Sequence, residues 1–445
     1  MASEHLIQVD QVGQPPMPQV HFMMRQESKE SEDYDPKVVS LGPYHHGKTN
    51  LKFVEDYKPK AVELFIAGTK NENEYLKEIL KYIGYARRCY LEEYTRKYTD
   101  KEFARMMLQD ACVILNYIES KEMSWKRDEM TRHIGIAVYN SLGRDIYLLE
   151  NQVPFRILEI LVVLRDNMDR RDFVKNVEEY FFKRFFHHWE AKLPVADEKN
   201  RLGKEALHLI EIFRRVIVTG SDPDPKSECE CLCGNINLVW RSHDESSISS
   251  EPLFSSVTDL KSKGITFSAS EIKSLREVRF YAYKFHLKSA ELKLPRSYVT
   301  KDTRVFFKNL IAYEFSPYAP SDKAVTSYVN FMRLLVISQE DVKELREKQI
   351  IINGLGRDEE VVEMYKALDT FGAEDTFSLR SLKVDIEKYH RTKAKTWMAD
   401  LKIKYFGSPW SLIALSASIF LIFLDMFQAY YAAHGSGQPS SKGAS

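Results

Sequence analysis

The sequence predicts a mainly α-helical protein: a multi-helical globular body with a small β insertion, followed by one C-terminal transmembrane helix. Three observations predict it. Apolar residues recur every three or four positions over most of residues 58–218 and again after Thr303. Between those regions, one short stretch alternates apolar and polar residues instead. Near the C-terminus, a long apolar run from Trp410 to Ala433 carries a single charge, Asp425.

Taken in order, residues 1–33 are polar and contain Gln14-Pro15-Pro16-Met17-Pro18, which predicts a mobile N-terminal arm. The body is expected over 34–406. It opens on a loop, because Pro36, Gly42, Pro43 and Gly47 punctuate the chain and demand turns. Phe103, Met107, Ala111, Ile114 and Ile118 then paint one helical stripe. Pro154 lacks an N–H and pushes Val153 towards an extended conformation, so a fresh helix should start there with Phe155, Leu158 and Val162 on one face. Ala206 to Val218 makes another helix. Residues 219–252 are rich in Ser, Asp, Pro and Cys without periodicity, and read as an exposed insertion. In 265–299, Phe285, Leu287, Leu292 and Leu294 alternate with polar residues up to Pro295, which predicts a two- or three-stranded β element. Helices return with Tyr328, Phe331, Met332 and Leu335, and with Val361, Met364, Tyr365 and Leu368. Ser381 to Tyr405 reads as one long basic helix, broken at Gly407-Ser408-Pro409.

The C-terminal run is expected to span a bilayer over 409–433. At ~1.5 Å per residue, its 24 residues from Trp410 to Ala433 make ~36 Å of helix, against a hydrocarbon core of ~30 Å. Trp410 lies at one end and Tyr430 and Tyr431 at the other, as interfacial anchors do. Ser411, Ser418, Asp425 and Gln428 form one polar stripe that would suit a contact between two copies, a homo-oligomer. Arg391, Lys393, Lys395, Lys402 and Lys404 precede the run and Lys442 comes after it. By the positive-inside rule, a single-pass membrane protein would then keep its body in the cytosol and a short polar tail, 434–445, on the far side.

Composition narrows the function. Lys+Arg and Asp+Glu both number 64, so no global field steers nucleic acid, and that partner class is disfavoured. Five cysteines, an odd and sparse set, do not make a disulfide framework, and Cys112 reads as a small core residue. The first residues lack the apolar core of a secretory signal. Phosphate loops, dinucleotide loops, zinc-protease helices and nucleophile elbows are all absent as motifs.

Three constellations remain. Tyr44-His45-His46 lies in the Gly/Pro loop, where adjacent imidazoles beside a Tyr could hold the loop together, contact a partner, or serve as base or metal ligands. Neighbouring side chains diverge, which disfavours one shared ion. Glu150-Asn151-Gln152 precedes Pro154, where polar side chains satisfy the orphan N–H groups of a starting helix; a Glu150 base paired with His45 or His46 is the rival reading. Asp110 falls among apolar neighbours, so its carboxylate needs a partner, an ion pair before a catalytic acid. Cys229, Cys231 and Cys233 alternate, with His243 nearby, but the spacing is off the zinc template and loop thiols are the plainer reading.

Several segments together are similar to one plant family, the domain of unknown function 247 family. They are Val39-Ser40-Leu41-Gly42-Pro43-Tyr44-His45-His46-Gly47 with Glu55 and Lys58, Met106-Met107-Leu108-Gln109-Asp110, and Leu148-Leu149-Glu150-Asn151-Gln152-Val153-Pro154-Phe155. Asn309-Leu310-Ile311-Ala312-Tyr313-Glu314, Tyr328-Val329-Asn330-Phe331-Met332, Tyr405-Phe406 and Pro409-Trp410 complete the set. The resemblance runs from about Tyr34 to Tyr431. It implies a land-plant protein with a C-terminal membrane segment and no established reaction, and it implies for some grass members a recognition role in pollen–stigma self-incompatibility. The expected function is therefore a membrane-anchored protein that recognises or scaffolds another protein, with neither cofactor nor metal. The alternative is a membrane-tethered hydrolase or transferase using His45, His46 and Glu150.

Overall fold

The computed structural model describes residues 17–27, 31–186, 206–219, 256–282, 290–317, 319–390 and 409–434. Helices dominate. In chain order they are α1 (Phe22–Glu27), α2 (Lys52–Glu55), α3 (Lys58–Ile66), α4 (Glu72–Lys81), α5 (Ile83–Arg88), α6 (Glu92–Thr95), α7 (Asp100–Glu119), α8 (Ser124–Asp145), α9 (Phe155–Asp166), α10 (Arg170–Phe186) and α11 (Leu209–Val218). After these come α12 (Val257–Ser262), α13 (Thr303–Glu314), α14 (Ala324–Leu335), α15 (Gln339–Glu347), α16 (Asp358–Lys366), α17 (Phe377–His390) and α18 (Pro409–His434).

The long helix α7 organises the N-terminal half. Thr99 and Glu102 close a capping box, in which Thr99 N donates to Glu102 at 2.8 Å and Glu102 N donates to the Thr99 hydroxyl at 3.3 Å. Its stripe Phe103, Met107, Ala111 and Ile114 is buried, as the spacing predicts. Against it pack α3, α4, α8 and α9. Helix α8 bends at Gly135, whose φ of +79° interrupts its course. Pro154 stands just ahead of α9 at ψ 126°, extended, with the helix starting at Phe155. The two halves join through aromatic contact: Tyr147 lies 4.6 Å from Phe213 of α11 and 4.2 Å from Phe306 of α13, centroid to centroid.

The sheets are small. Strands β1 (Ile265–Ala269), β2 (Arg279–Ala282) and β3 (Ala290–Leu294) form one, with β3 in the centre, parallel to β1 and antiparallel to β2. Ala290, Leu292 and Leu294 face the core while Glu291 and Lys293 are half-buried, which is the alternation that marks a strand with one buried face. Phe285 and Leu287 lie outside the described residues. A second, two-stranded sheet pairs β4 (Ser297–Val299) in parallel with β5 (Ile351–Asn353), and so ties the β segment to the C-terminal helices. The mainly helical body with small sheets is therefore as the periodicity predicts.

The transmembrane expectation is corrected. Among the described residues no helix is long and apolar enough to cross a membrane. Helix α18 forms over the apolar run. Ser416, Ser418, Asp425 and Gln428 interrupt it. The anchor assigned to Trp410, Asp425, Gln428, Tyr430 and Tyr431 is thus not supported, and neither are the single-pass localisation and the orientation derived from it. Of the long basic helix expected over 381–405, α17 is described to His390, and residues 391–408 lie outside the described residues.

Candidate functional site

The Gly/Pro loop is irregular yet buried. Val39, Ser40, Leu41, Gly42, Pro43 and His45 are all inaccessible. Backbone N–H groups in that position need internal partners, and no ladder supplies them. Three side chains do. Asp145, at the end of α8, accepts from Lys37 N at 3.0 Å, Val38 N at 2.8 Å and Val39 N at 3.1 Å. Asn151 accepts from Leu41 N at 2.7 Å and donates to Val39 O at 3.1 Å, so its amide acts as a strand would. Asp110, in the middle of α7, accepts from Gly42 N at 2.7 Å. Gly42 is obligatory here. Its φ is +74°, and a Cβ would lie 2.6 Å from Gln152 O and 2.8 Å from the Tyr90 hydroxyl.

Behind the loop sits a buried ion cluster. Lys58 is 1% exposed; its ammonium lies 2.5 Å from Asp110 Oδ1 and 2.6 Å from Glu55 Oε1, and it donates to Ser40 O at 2.7 Å. Ser40 Oγ also donates to Glu55. All three hydrogens of the amine are thereby used, which is what makes a buried ammonium tolerable. Burial pushes the Asp110 carboxyl up, and the Lys58 charge opposes it. Gln152 is likewise consumed: Nε2 donates to Ile146 O and Leu148 O, both at 2.8 Å.

The histidines part company. His45 is 4% exposed, and its ring nitrogens lie 4.0 Å from Asp35 Oδ1 and 4.0 Å from Glu150 Oε2, too far to bond. Neither nitrogen has a hydrogen-bond partner among the described residues. Burial, with Lys48 and Arg25 nearby, lowers its pKa to about 4, so the ring is neutral. His46 turns the other way, 3.6 Å from Glu55 Oε2 and edge-on to Tyr98. Tyr44 packs edge-on to Tyr94 and Tyr90, donates to Met17 O at 3.3 Å, and has its phenol pushed up by burial. Glu150 and His45 therefore approach each other, and His46 stays apart.

Glu150 spends its carboxylate on the N-terminal segment. Val20 N donates to Oε1 at 2.8 Å and Arg25 pairs with Oε2. Met17 and Val20, just ahead of α1, and Met24 within it are buried in the core. That part of the segment expected as an arm is a strap across the loop; residues 1–16 lie outside the described residues. Its signal in the sequence was the spacing of 3 and 4 between these apolar residues. Asp145 was missed, because its apolar surroundings come from segments remote in sequence.

Among the described residues, no group of three or more His, Cys, Asp or Glu could hold a metal ion. Cys229, Cys231, Cys233 and His243 lie outside the described residues. A cavity of about 620 Å³ is lined elsewhere, by residues that include Tyr117, Lys121, Arg144, Arg184 and Lys301.

Comparison with known proteins agrees with these motifs. A family described as plant protein of unknown function, DUF247, matches residues 18–424. The UPF0481 protein At3g47200 of Arabidopsis thaliana is 29% identical over 419 residues, covering 89% of this chain and 82% of that protein. The putative UPF0481 protein At3g02645 of the same plant is 25% identical over 183 residues, 39% of this chain and 32% of its own length. No solved structure matches the chain.

Proposed function

The chain belongs to the DUF247 family of plant proteins, and from that premise we propose that it works by recognising or scaffolding another protein rather than by turning over a substrate. One observation carries this reading: the polar side chains gathered at the loop are bonded to main chain, that of the loop itself or, for Gln152, that of the turn after α8. Asp110, Asp145, Asn151 and Gln152 accept from or donate to main-chain groups, and Lys58 is enclosed by three acceptors. Such wiring holds the loop in one shape and displays the residues just beyond it. Gly47, Lys48, Thr49 and Asn50 are exposed, and Phe53 presents an aromatic ring that is 59% exposed. A pre-ordered surface loses little entropy when a partner docks, and an exposed aromatic is a common anchor.

The test is proximity labelling in plant cells with wild type and two variants. Phe53→Ala combined with Lys48→Glu should lose labelled partners without changing the melting temperature. His45→Gln with His46→Gln addresses the rival reading, which the approach of His45 to Glu150 favours. If purified wild type turns over an ester, amide or phosphate substrate and this folded double variant does not, the chain is an enzyme and the recognition reading fails.

A further inference from the structure

The cavity of about 620 Å³ opens to solvent and is lined by five stretches of chain that are remote in sequence: the segment before the loop, the C-terminal end of α7, one face of α8, the end of α10 and the turn between β4 and α13. Its wall is rich in positive charge, with Lys37, Lys121, Arg144, Arg184, Lys301 and Arg304. Three of these six are answered by acids. Lys37 pairs with Glu32 at 3.5 Å, Arg144 with Asp145 at 2.8 Å, and Arg304 with Asp33 at 3.1 Å.

The other three are not. Among the described residues, Lys121, Arg184 and Lys301 form no ion pair with a carboxylate, and Asp302 is the one remaining acid on the wall. The Lys121 amine donates to the Tyr139 hydroxyl at 3.0 Å and lies over the rings of Tyr117 and Tyr139, 4.0 Å and 4.4 Å from their centroids. Burial and the neighbouring Arg184 and Arg127 lower its pKa to about 8, the mark of a cation short of counter-charge. On Arg184, Nε is buried and has no hydrogen-bond partner among the described residues, although Tyr147, Tyr180 and Asp302 act on the guanidinium as a whole. A buried N–H left without an acceptor needs explaining in a folded protein. An incoming anion would supply the acceptor and the missing charge together.

We propose that this cavity binds a small molecule carrying two or more phosphate groups, held between Lys121, Arg184 and Lys301. The arginine fork suits a phosphate's paired oxygens, while the lysines act as point charges. The volume rules against a lone phosphate ion as the natural occupant, since cavities of roughly 300–1,000 Å³ enclose ligands of several ring atoms. The Asn140 amide and the Thr300 hydroxyl on the same wall suit the hydroxyls of a cyclitol or a sugar. Two sources share this chemistry, a soluble phosphorylated cyclitol or nucleotide and the head group of a phosphorylated lipid.

Titration calorimetry on the full chain separates them. The probes are inorganic phosphate, ATP and inositol hexakisphosphate; vesicles of phosphatidylcholine with and without phosphatidylinositol bisphosphate are assayed by co-sedimentation. Saturable binding of a multiply phosphorylated probe, at least about tenfold tighter than phosphate, is expected. Lys301→Glu, on the exposed rim, and Lys121→Met should each weaken it about tenfold or more, the loss that a charge-assisted hydrogen bond implies. Binding to the doped vesicles that inositol hexakisphosphate fails to displace assigns the lipid source; soluble binding alone assigns the other. Absence of saturable binding to every probe overturns the proposal. So does equal weakening by Lys348→Glu, an exposed lysine outside the cavity wall, because that would mean general adhesion of anions.

Discussion

The loop clamp and the basic cavity share a border at Arg144 and are built from the same kinds of residue, yet they differ in whether each charge is answered. In the clamp, Lys58 meets Asp110 and Glu55, and Asp145 meets three N–H groups and Arg144. In the cavity, Lys121 and Arg184 meet tyrosines and form no ion pair among the described residues, Asp302 acting on Arg184 without pairing with it. Charge that is fully paired inside a protein fixes a shape. Charge left partly unpaired costs stability and is kept for something else, most often a ligand. The contrast assigns the first region to architecture and the second to binding, and it can be broken experimentally.

The largest effect should come from breaking the clamp's ion pair. Asp110→Ala leaves Lys58 buried with one acid lost and Gly42 N without its acceptor. A loss of about 3–5 kcal/mol is expected in urea denaturation. The double variant Asp110→Leu with Lys58→Met should lose less than Asp110→Ala alone, because no uncompensated charge remains. If the single variant costs under about 1 kcal/mol, the clamp is not what holds the loop.

Gly42→Ala comes next. The positive φ costs an alanine about 1–2 kcal/mol, and a Cβ 2.6 Å from Gln152 O forces the loop off Asn151 and Asp110. A total of roughly 2–4 kcal/mol is expected. Hydrogen exchange should locate the loss, with faster exchange at Leu41 and Gly42. Uniform exchange across the chain would mean that the loop is not a separate rigid unit.

His45 gives a pH signature. Its folded pKa is about 4 against an ordinary 6.5, so between those values the unfolded chain binds a proton that the folded one does not. Stability must therefore fall as pH drops from about 6.5 towards 4, by roughly 2–3 kcal/mol from this group, and level off below. Asp35, Glu150, Arg25 and Lys48 face the ring and titrate or persist in both wild type and variant. His45→Gln should remove this component from urea midpoints measured between pH 7 and 4. His208, buried and lowered to about 3, leaves a residual slope in both proteins. Identical slopes would place a proton acceptor on His45 that the geometry does not show.

How much of this could be read from the sequence depends on how local each signal is. The stripe of α7, the break at Pro154 and the alternation of β3 each lie within one element, so periodicity exposes them. Asp110, Glu150, Asn151 and Gln152 stood out because polar groups in apolar company need partners, although which partners was hidden. Asp110 reaches Gly42 across 68 positions and Asn151 reaches Leu41 across 110. No local pattern encodes such pairs. The cavity was invisible for the same reason, since each of its cations is an ordinary lysine or arginine until the fold brings them together. The C-terminal run shows the opposite failure. Apolar content, flanking aromatics and basic residues suggested a span, while among the described residues no helix is long and apolar enough to cross a membrane, and Asp425 lies within α18.

The smallest effect is the most telling. Lys121→Met removes a hydrogen bond to Tyr139 and two ring contacts, which in most settings would cost about 1–2 kcal/mol. It also removes a half-buried ammonium that folding disfavours. The folded pKa near 8 lies below the ordinary 10.5, so at pH 7 the charge is carried at a cost that the variant does not bear. Partial exposure and solvent screening reduce that cost well below its nominal size. The two contributions should nearly cancel, leaving a change within about 1 kcal/mol of zero at pH 7. The sign appears on raising the pH. Between about 8 and 10.5 the folded lysine loses its proton before the unfolded one, so wild type gains stability relative to the variant. Arg184, Arg127, Tyr117 and Tyr139 face the amine, and their own titration is common to both proteins. Melting temperatures of the pair from pH 7 to 10 test this directly. A loss at pH 7 as large as that of Asp110→Ala would make Lys121 a structural residue like Lys58, and the distinction between clamp and cavity would fall.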